Sequence, residues 1–469
     1  MRGRCKRPRF WCVMKQTELQ KNDAHYLKMT TAPVGPLILS LAVPSMVTTL
    51  ITSIYNLADT FFVGQIGTSA TAAVGVVFSI SMVLLALGFW VGTGASMLVS
   101  SMLGARREQD AQTMANTSFV LSFAFGVALA VVCFAGGDTL LRMLGATETI
   151  LPFARQYAFF ILLGGPFSAC SMAFGQCLRA EGLSRESMVG QISGGILNML
   201  LDPLFIFGFG WGIAGAAAAT MLSQMVSWAI NLQFYLRGVT RVQLDVRTLA
   251  RRWEQYRLLF TTGAPSLFRH CCNMLANVVL NTVAGGWGDA AIAAMSICAR
   301  LLYLSNAVSN GMNQGSQPVI GYAYGKQDWR RVRASFAFSV KVSMLSMVAF
   351  GAVGIVFAPQ LVGIFRDDPQ VIEVGRTALR FICVALPLAN FANSANILFQ
   401  IVGRPVTSTV LIFGRQLAFY IPALLLLPRF CGLLGVQMAG PLADIVVFAI
   451  ALPLTLRYFR SLPEAGVET

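Results

Sequence analysis

The sequence predicts an all-α, polytopic membrane protein of twelve transmembrane helices in two pseudo-symmetric six-helix lobes. Three observations carry this. Hydrophobic residues make up 56% of the 469-residue chain and charged ones only 12%, against about 25% charged in soluble domains. Continuous apolar runs, each near the roughly 20 residues a helix needs to cross hydrocarbon, recur along almost the whole chain. They are unlike the short alternating strands of a membrane β-barrel. The chain is also written twice. A shift of 221 residues lays Pro44 on Pro265, Asn56 on Asn277, Gly64 on Gly285, Gly67 on Gly288, Gly94 on Gly315, Gly104 on Gly325, Pro166 on Pro387 and Gly182 on Gly403.

In chain order, residues 1–30 are expected to form a cytosolic tail. The opening MRGRCKRPRF is basic but lacks the apolar core and small-residue cleavage site of a signal peptide, and Met14 and Met29 are alternative starts. The first lobe, 31–240, holds helices over 36–58, 70–102, 115–135, 152–177, 187–209 and 213–236. A linker, 241–256, follows; its RTLARRWEQYRLLF stretch has a helical pattern that would suit the membrane surface. The second lobe, 257–460, holds helices over 257–284, 290–318, 334–357, 374–400, 405–428 and 434–456, and 461–469 form a second cytosolic tail. Pro44 and Pro265 should bend helices 1 and 7. The long, glycine-bearing helices 2 and 8 should tilt or bend. Gly64, Gly67, Gly285 and Gly288 mark turns, and Gly104 and Gly325 are placed as C-terminal helix caps. WGIAGAA at 211–217 returns as CGLLGVQ at 431–437 after a slip of one residue.

The net charge of +15 follows topology rather than one patch, which argues against nucleic acid as a partner. Arg106, Arg107, Arg179, Arg185, Lys326, Arg330, Arg331, Arg333 and the arginines of the linker gather after even-numbered helices. Arg142, Arg366 and Arg429 are the basic residues of the odd loops. The positive-inside rule then puts the even loops and both termini in the cytoplasm. Ten scattered cysteines and two histidines, His25 and His270, make no zinc pattern, and Cys271 and Cys272 read as small buried apolar residues. No nucleophile–His–acid set or phosphate loop suggests an enzyme, and no cofactor is implied.

The acids are written once. The 221-residue shift puts Leu280 opposite Asp59 and Ala423 opposite Asp202. A carboxylate in an apolar membrane segment is costly and marks a functional site by default. Asn198 and Asp202 stand four apart on helix 5, as do Tyr55 and Asp59 on helix 1, so each pair shares a helix face; Thr220 follows on helix 6. If helices 1, 5 and 6 are neighbours, two carboxylates, a carboxamide and a hydroxyl converge. Such an all-oxygen set suits Na⁺. It equally suits a proton, because two close carboxylates cannot both ionise cheaply. The plain alternative is that both acids cap helices near an interface.

The segments PLILSLAVPSMVTTLITSIYNLADTFFVGQIG, LRAEG, NMLLDPLFIFGFGWGIAGAAAAT and QGSQPVIGYAYGKQDWRRVR resemble the multidrug and toxic compound extrusion (MATE) family, staphylococcal-type multidrug branch, over about 33–458. The resemblance implies a monomeric inner-membrane antiporter that exports small organic cations, mostly lipophilic, against Na⁺ or H⁺ by alternating access. It implies a cation site at Asp59, Asn198, Asp202 and Thr220. Other members carry acidic ligands in helices 7 and 10; here those helices offer Asn273, Asn277, Asn281, Asn390, Asn393 and Asn396, which either line the cavity or bond between helices. Asp444 has three readings: on the substrate path, near the extracellular mouth, or bonded to Gln437. Two competing functions stand beside this one. A lipid-linked oligosaccharide flippase would need Arg155, Arg269, Arg300, Lys341 and Arg415 to cluster. A non-transporting scaffold or passive channel would need no one-sided ion site.

Overall fold

The computed structural model describes residues 23–463 apart from 246 and 367, and every side chain among them except those of Asp289, Tyr303 and Leu304. The basic MRGRCKRPRF stretch, Met14 and the last residues of the C-terminal tail lie outside the described residues. Twelve long helical segments follow the repeat: α1 Val34–Ile66, α2 Thr68–Gly104, α3 Glu108–Met143, α4 Leu151–Ala180, α5 Ser184–Pro203, α6 Gly212–Leu236, α7 Trp253–Gly285, α8 Asp289–Gly325, α9 Trp329–Val356, α10 Pro369–Ile401, α11 Pro405–Phe413 and α12 Leu433–Ser461. Helix α5 runs on through a wider π turn, Leu204–Gly208. Helix α11 continues through a π segment, Gly414–Tyr420, into Ile421–Cys431. Among the described residues no strand occurs.

Eleven of these segments are long and apolar enough to cross a membrane. The predicted twelfth, α7, falls short on composition, diluted by Arg257, Arg269, His270, Asn273, Asn277 and Asn281. It packs along α2 and α11, and polar side chains are tolerated at membrane depth where they face protein or a water-filled cavity.

The repeat organises the seam between the halves. Helix α1 packs along α8, its counterpart α7 packs along α2, and α2 crosses α8. A Cβ at Gly94 would lie 2.5 Å from the Leu259 carbonyl and 3.2 Å from Gly263 Cα. At the equivalent crossing, a Cβ at Gly315 would lie 2.6 Å from the Ala42 nitrogen. On the axis itself, residues meet their own counterparts. Gln317 Nε2 donates to Ser96 Oγ (2.6 Å), and a Cβ at Gly321 would run into the Ser100 side chain. Nearest the basic loops, a Cβ at Gly104 would overlap the Tyr322 carbonyl, and one at Gly325 would overlap the Ser101 carbonyl.

This corrects the reading of Gly104 and Gly325 as caps. Both are helical, and the left-handed positions fall two residues later, at Arg106 (φ 59°) and Gln327 (φ 62°), themselves related by the repeat. The two glycines serve close backbone approach instead. The turn glycines are Gly67 (φ 144°) and Gly288 (φ 94°); Gly64 is helical, with open space about it.

These contacts lie in the portions of the helices nearest the basic loops. Beyond them, Asn277 continues the face of α7 that carries Gly263 and His270, and it is exposed, as is its counterpart Asn56 on α1. Amides facing hydrocarbon are costly, so these exposed amides argue for water reaching the space between the halves beyond their close-packed, basic-loop end.

That closed end is strapped. Residues 23–31 form a helical segment lying across both halves. Tyr26 donates to the Gly104 carbonyl (3.2 Å) beneath the Arg106 guanidinium (4.6 Å), and His25 Nε2 meets the Glu181 carbonyl (2.6 Å). From the second half, Arg331 donates to the carbonyls of Met29 (3.0 Å) and Ala32 (2.8 Å). The linker is also pinned. Its RTLARR portion is irregular rather than helical, because Asn116 on α3 donates to the carbonyls of Gln243 (3.2 Å) and Asp245 (3.1 Å), and Thr117 accepts from the Ala250 nitrogen (2.8 Å). These side chains satisfy backbone groups that a surface helix would have satisfied internally.

Glu181 is fully buried between α4 and α5, with the Arg241 backbone N–H on its Oε2 (2.6 Å). Desolvation pushes its carboxyl up to about 8 despite the lowering by that N–H and the Arg241 charge. A raised carboxyl favours the protonated folded state. Its contribution to stability is therefore full below the ordinary glutamate range and is lost as pH rises through about 8. Thermal unfolding between pH 5 and pH 9 should show this decline, and Glu181→Gln should flatten it.

Candidate cation site

The site begins with glycines on α5. A Cβ at Gly190 would overlap the Asn231 side chain, and one at Gly194 would lie 2.9 Å from the Ser223 carbonyl, so this edge lets α6 close in. A Cβ at Gly195 would lie 2.8 Å from Tyr55 Cδ1, so the neighbouring edge takes α1. The next two turns of α5 carry Asn198 and Asp202, where the three helices converge. The predicted adjacency of helices 1, 5 and 6 holds.

Asn198 Nδ2 donates to Asp202 Oδ1 (3.2 Å) and to Thr220 Oγ1 (3.3 Å). Asp202 is fully buried, and its Oδ2 has no hydrogen-bond partner among the described residues. The same is true of Asp59 Oδ1, on a half-buried side chain. The two carboxylates act on each other electrostatically, and no Lys or Arg pairs with either among the described residues. Neither acid caps a helix: α1 runs seven residues past Asp59, and Asp202 is followed by Pro203 and the π turn. Proline removes a backbone donor, and widened turns of this kind gather at functional sites.

Sequence reasoning missed Tyr157. It is buried on α4 and lies in the field of both Asp59 and Asp202. Its only signal was a lone hydroxyl in the apolar run QYAFFILL. Pro44 and Pro265 both lie inside continuous helices, and Thr48 Oγ1 donates to the Pro44 carbonyl (2.9 Å).

The second half treats the same positions differently. Arg415 and Gln416 stand where the first half has Gly194 and Gly195, and Asp444, after the one-residue slip that aligns helices 6 and 12, stands where it has Gln224. Arg415 Nε donates to Asp444 Oδ1 (2.6 Å), and Gln416 Nε2 donates to Asn273 Oδ1. The proposed bond of Asp444 to Gln437 is overturned: Gln437 donates instead to the Val374 carbonyl (3.1 Å), and Asp444 is held by Arg415. Most of the asparagines bond between helices. Asn390 bonds Ser309 and Ser343, Asn396 bonds Ser408, and Asn393 accepts from Arg269 (3.4 Å). Asn277 and Asn281 remain on the open face of α7. The cations a flippase would need have separate surroundings: Arg155 pairs with Asp138, Arg415 with Asp444, and Arg300 and Lys341 are exposed. Cys271, expected to be buried, is exposed, while Cys272 is buried.

The MatE family profile matches twice, over residues 44–204 and 265–425. The chain belongs to the MatE family. Its two matches are displaced by the same 221 residues that relate the halves of the sequence. Among relatives, an FAD transporter of Shewanella oneidensis is 27% identical over 460 residues, 95% of this chain and 99% of that protein. The multidrug export protein MepA of Staphylococcus aureus is 25% identical over 406 residues, 86% of this chain and 90% of that one. A solved structure described as the outward-facing conformation of a multidrug resistance MATE family transporter is similar at a TM-score of 0.86 and 27% identity, covering 92% of this chain and 99% of that one. This MatE protein is thus a multi-pass membrane protein built as two six-helix lobes.

Proposed function

We propose that this MatE protein is a secondary multidrug antiporter, exporting organic, mostly cationic and lipophilic compounds across the bacterial inner membrane in exchange for Na⁺ or H⁺. Both termini are then cytoplasmic, the working unit is a monomer, and no cofactor takes part. The observation that carries this reading is the one-sided site: Asp59 and Asp202 each present a buried oxygen without a partner, beside Asn198 and Thr220, and neither acid has a counterpart in the second half. The similarity to MepA supports the drug substrates.

With the basic loops cytoplasmic, the cleft opens outward. A coupling cation entering from outside reaches the two acids and neutralises them, which removes their hold on a cationic solute. Pro44, inside α1, supplies the hinge by which Asp59 moves relative to α5 and α6. After the lobes rock, the cation leaves inward and the recharged acids favour a new cationic solute. Each charge crossing 100 mV supplies about 2.3 kcal/mol.

The test is efflux of ethidium from proteoliposomes under separately imposed Na⁺ and H⁺ gradients. Efflux driven by neither gradient would reject the antiporter. Tyr157→Phe keeps the ring and removes the hydroxyl. It should lower the apparent affinity for the coupling cation by about 3- to 10-fold, the worth of one hydrogen bond, while leaving maximal efflux nearly unchanged; titrating the driving cation reads this directly.

A further inference from the structure

Among the described residues the first half holds two carboxyls, Asp59 and Asp202, with no cationic partner, and the second holds a guanidinium with no anionic one. Arg269 lies midway along α7, with Nη1 donating to Asn393 Oδ1 (3.4 Å) and Nη2 to Ser266 Oγ (3.2 Å). Among the described residues no carboxylate lies within ion-pair distance of it, and no acid acts on it electrostatically. Arg415, the guanidinium of α11, has Asp444. Arginine keeps its proton and offers five N–H donors, and a lone cation at membrane depth is costly. Two neutral oxygens at long hydrogen-bond distances meet little of that demand. An anion with two adjacent oxygens matches the planar fork of the guanidinium.

The surroundings give such an anion a way in. His270, the next residue, stacks on Phe89 of α2 (4.7 Å between ring centres), which puts Arg269 beside the seam between the halves. Asn273, one turn along α7, is exposed and held by Gln416, and Asn277 and Asn281 continue the exposed amides up the cleft.

We propose that Arg269, with Asn393 and Ser266, binds the carboxylate or phosphate of a soluble amphiphile. The cleft then has an acidic wall in the first half and a basic wall in the second. The inference rests on the transporter reading above for its purpose, but the site can be measured without transport.

The probe is carboxyfluorescein, an aromatic carboxylate, titrated against the purified full-length protein by fluorescence anisotropy. Ethidium efflux from proteoliposomes is the parallel readout. Saturable binding is expected, weakened by about tenfold or more in Arg269→Gln, the loss that follows from removing a charge-assisted pair. Arg269→Lys should retain part of it, and ethidium efflux should stay within about threefold of wild type, since no cation contact is removed. Asn393→Ala keeps the charge but removes its orienting carboxamide, and should weaken binding to a smaller degree. If Arg269→Gln does not fold, Asn393→Ala and Ser266→Ala decide, and wild-type binding in both overturns the proposal. So does absence of saturable binding in the wild type, or equal binding by Arg269→Gln. Displacement of the probe by phosphatidylglycerol with no carboxyfluorescein efflux would overturn the soluble ligand and assign the guanidinium to lipid. Loss of ethidium efflux in the wild type, with carboxyfluorescein still bound, would reject the transporter and leave the anion site standing.

Discussion

Asp202→Asn lowers gradient-driven efflux of a cationic dye by roughly 10- to 100-fold, the range for deleting one charged partner from a buried site, while the protein still folds. The substitution preserves the shape of the side chain and removes the charge that a coupling cation must meet. Asn198 donates to Asp202 Oδ1 and would still find a carbonyl oxygen there. Folding should survive because the second half is the same scaffold with Ala423 at this position and Leu280 opposite Asp59. Asp59→Asn should act in the same direction. Its carboxylate is only half-buried and reports on α1, so the double variant should lose little beyond the worse single one, as expected of residues acting as one unit. Transport by either variant at the wild-type rate under both gradients would remove the coupling site from Asp59 and Asp202.

Gly104→Ala and Gly325→Ala are each expected to destabilise by about 1–3 kcal/mol, the cost of overpacking, and to depress efflux more than stability. The added methyl meets backbone, the carbonyls of Tyr322 and Ser101 respectively, and backbone cannot swing aside as a flexible side chain can. The helices must part where the halves close at the basic loops, and a lobe that cannot close there cannot hold the outward-open form. Gly75→Ala, in α2 with nothing within 4 Å of the new atom, is the control. In a helix that exchange should be neutral or stabilising by up to about 1 kcal/mol. Melting temperatures of the three variants, with efflux measured alongside, separate close packing from helix propensity; equal behaviour of Gly75→Ala and Gly104→Ala would dismiss the role given to the crossing.

The spans and the first-half site were legible because each rests on short-range pattern. An apolar run bounded by glycine or charge sets a helix, and spacing of four sets a face. Even so, the apolar run marks helix 1 only over 36–58, whereas the chain stays helical to Ile66, where Gly67 turns it, so that Asp59 lies about two turns inside the helix. What was not legible depended on distant partners. The linker looked helical until Asn116 and Thr117, over a hundred residues earlier, proved to hold its backbone. Gly104 and Gly325 carried the local signature of caps, and only the opposing helix shows why a side chain is excluded. Asp444 could not be paired from sequence because Arg415 lies 29 positions away on another helix. Tyr157 is one hydroxyl in an apolar run, which carries no pattern at all.

Where the two-fold axis passes, Gln317 donates to Ser96 and Gly321 makes room for Ser100. In a symmetric pair of identical six-helix subunits, a residue on the axis would meet a copy of itself. Glutamine on serine, or glycine beneath serine, would be unavailable there, because one gene cannot write two different residues at one place. Joining the halves in one chain lifts that restriction. It lets the seam pack with unlike partners, and it lets one half hold the acids while the other holds the guanidiniums.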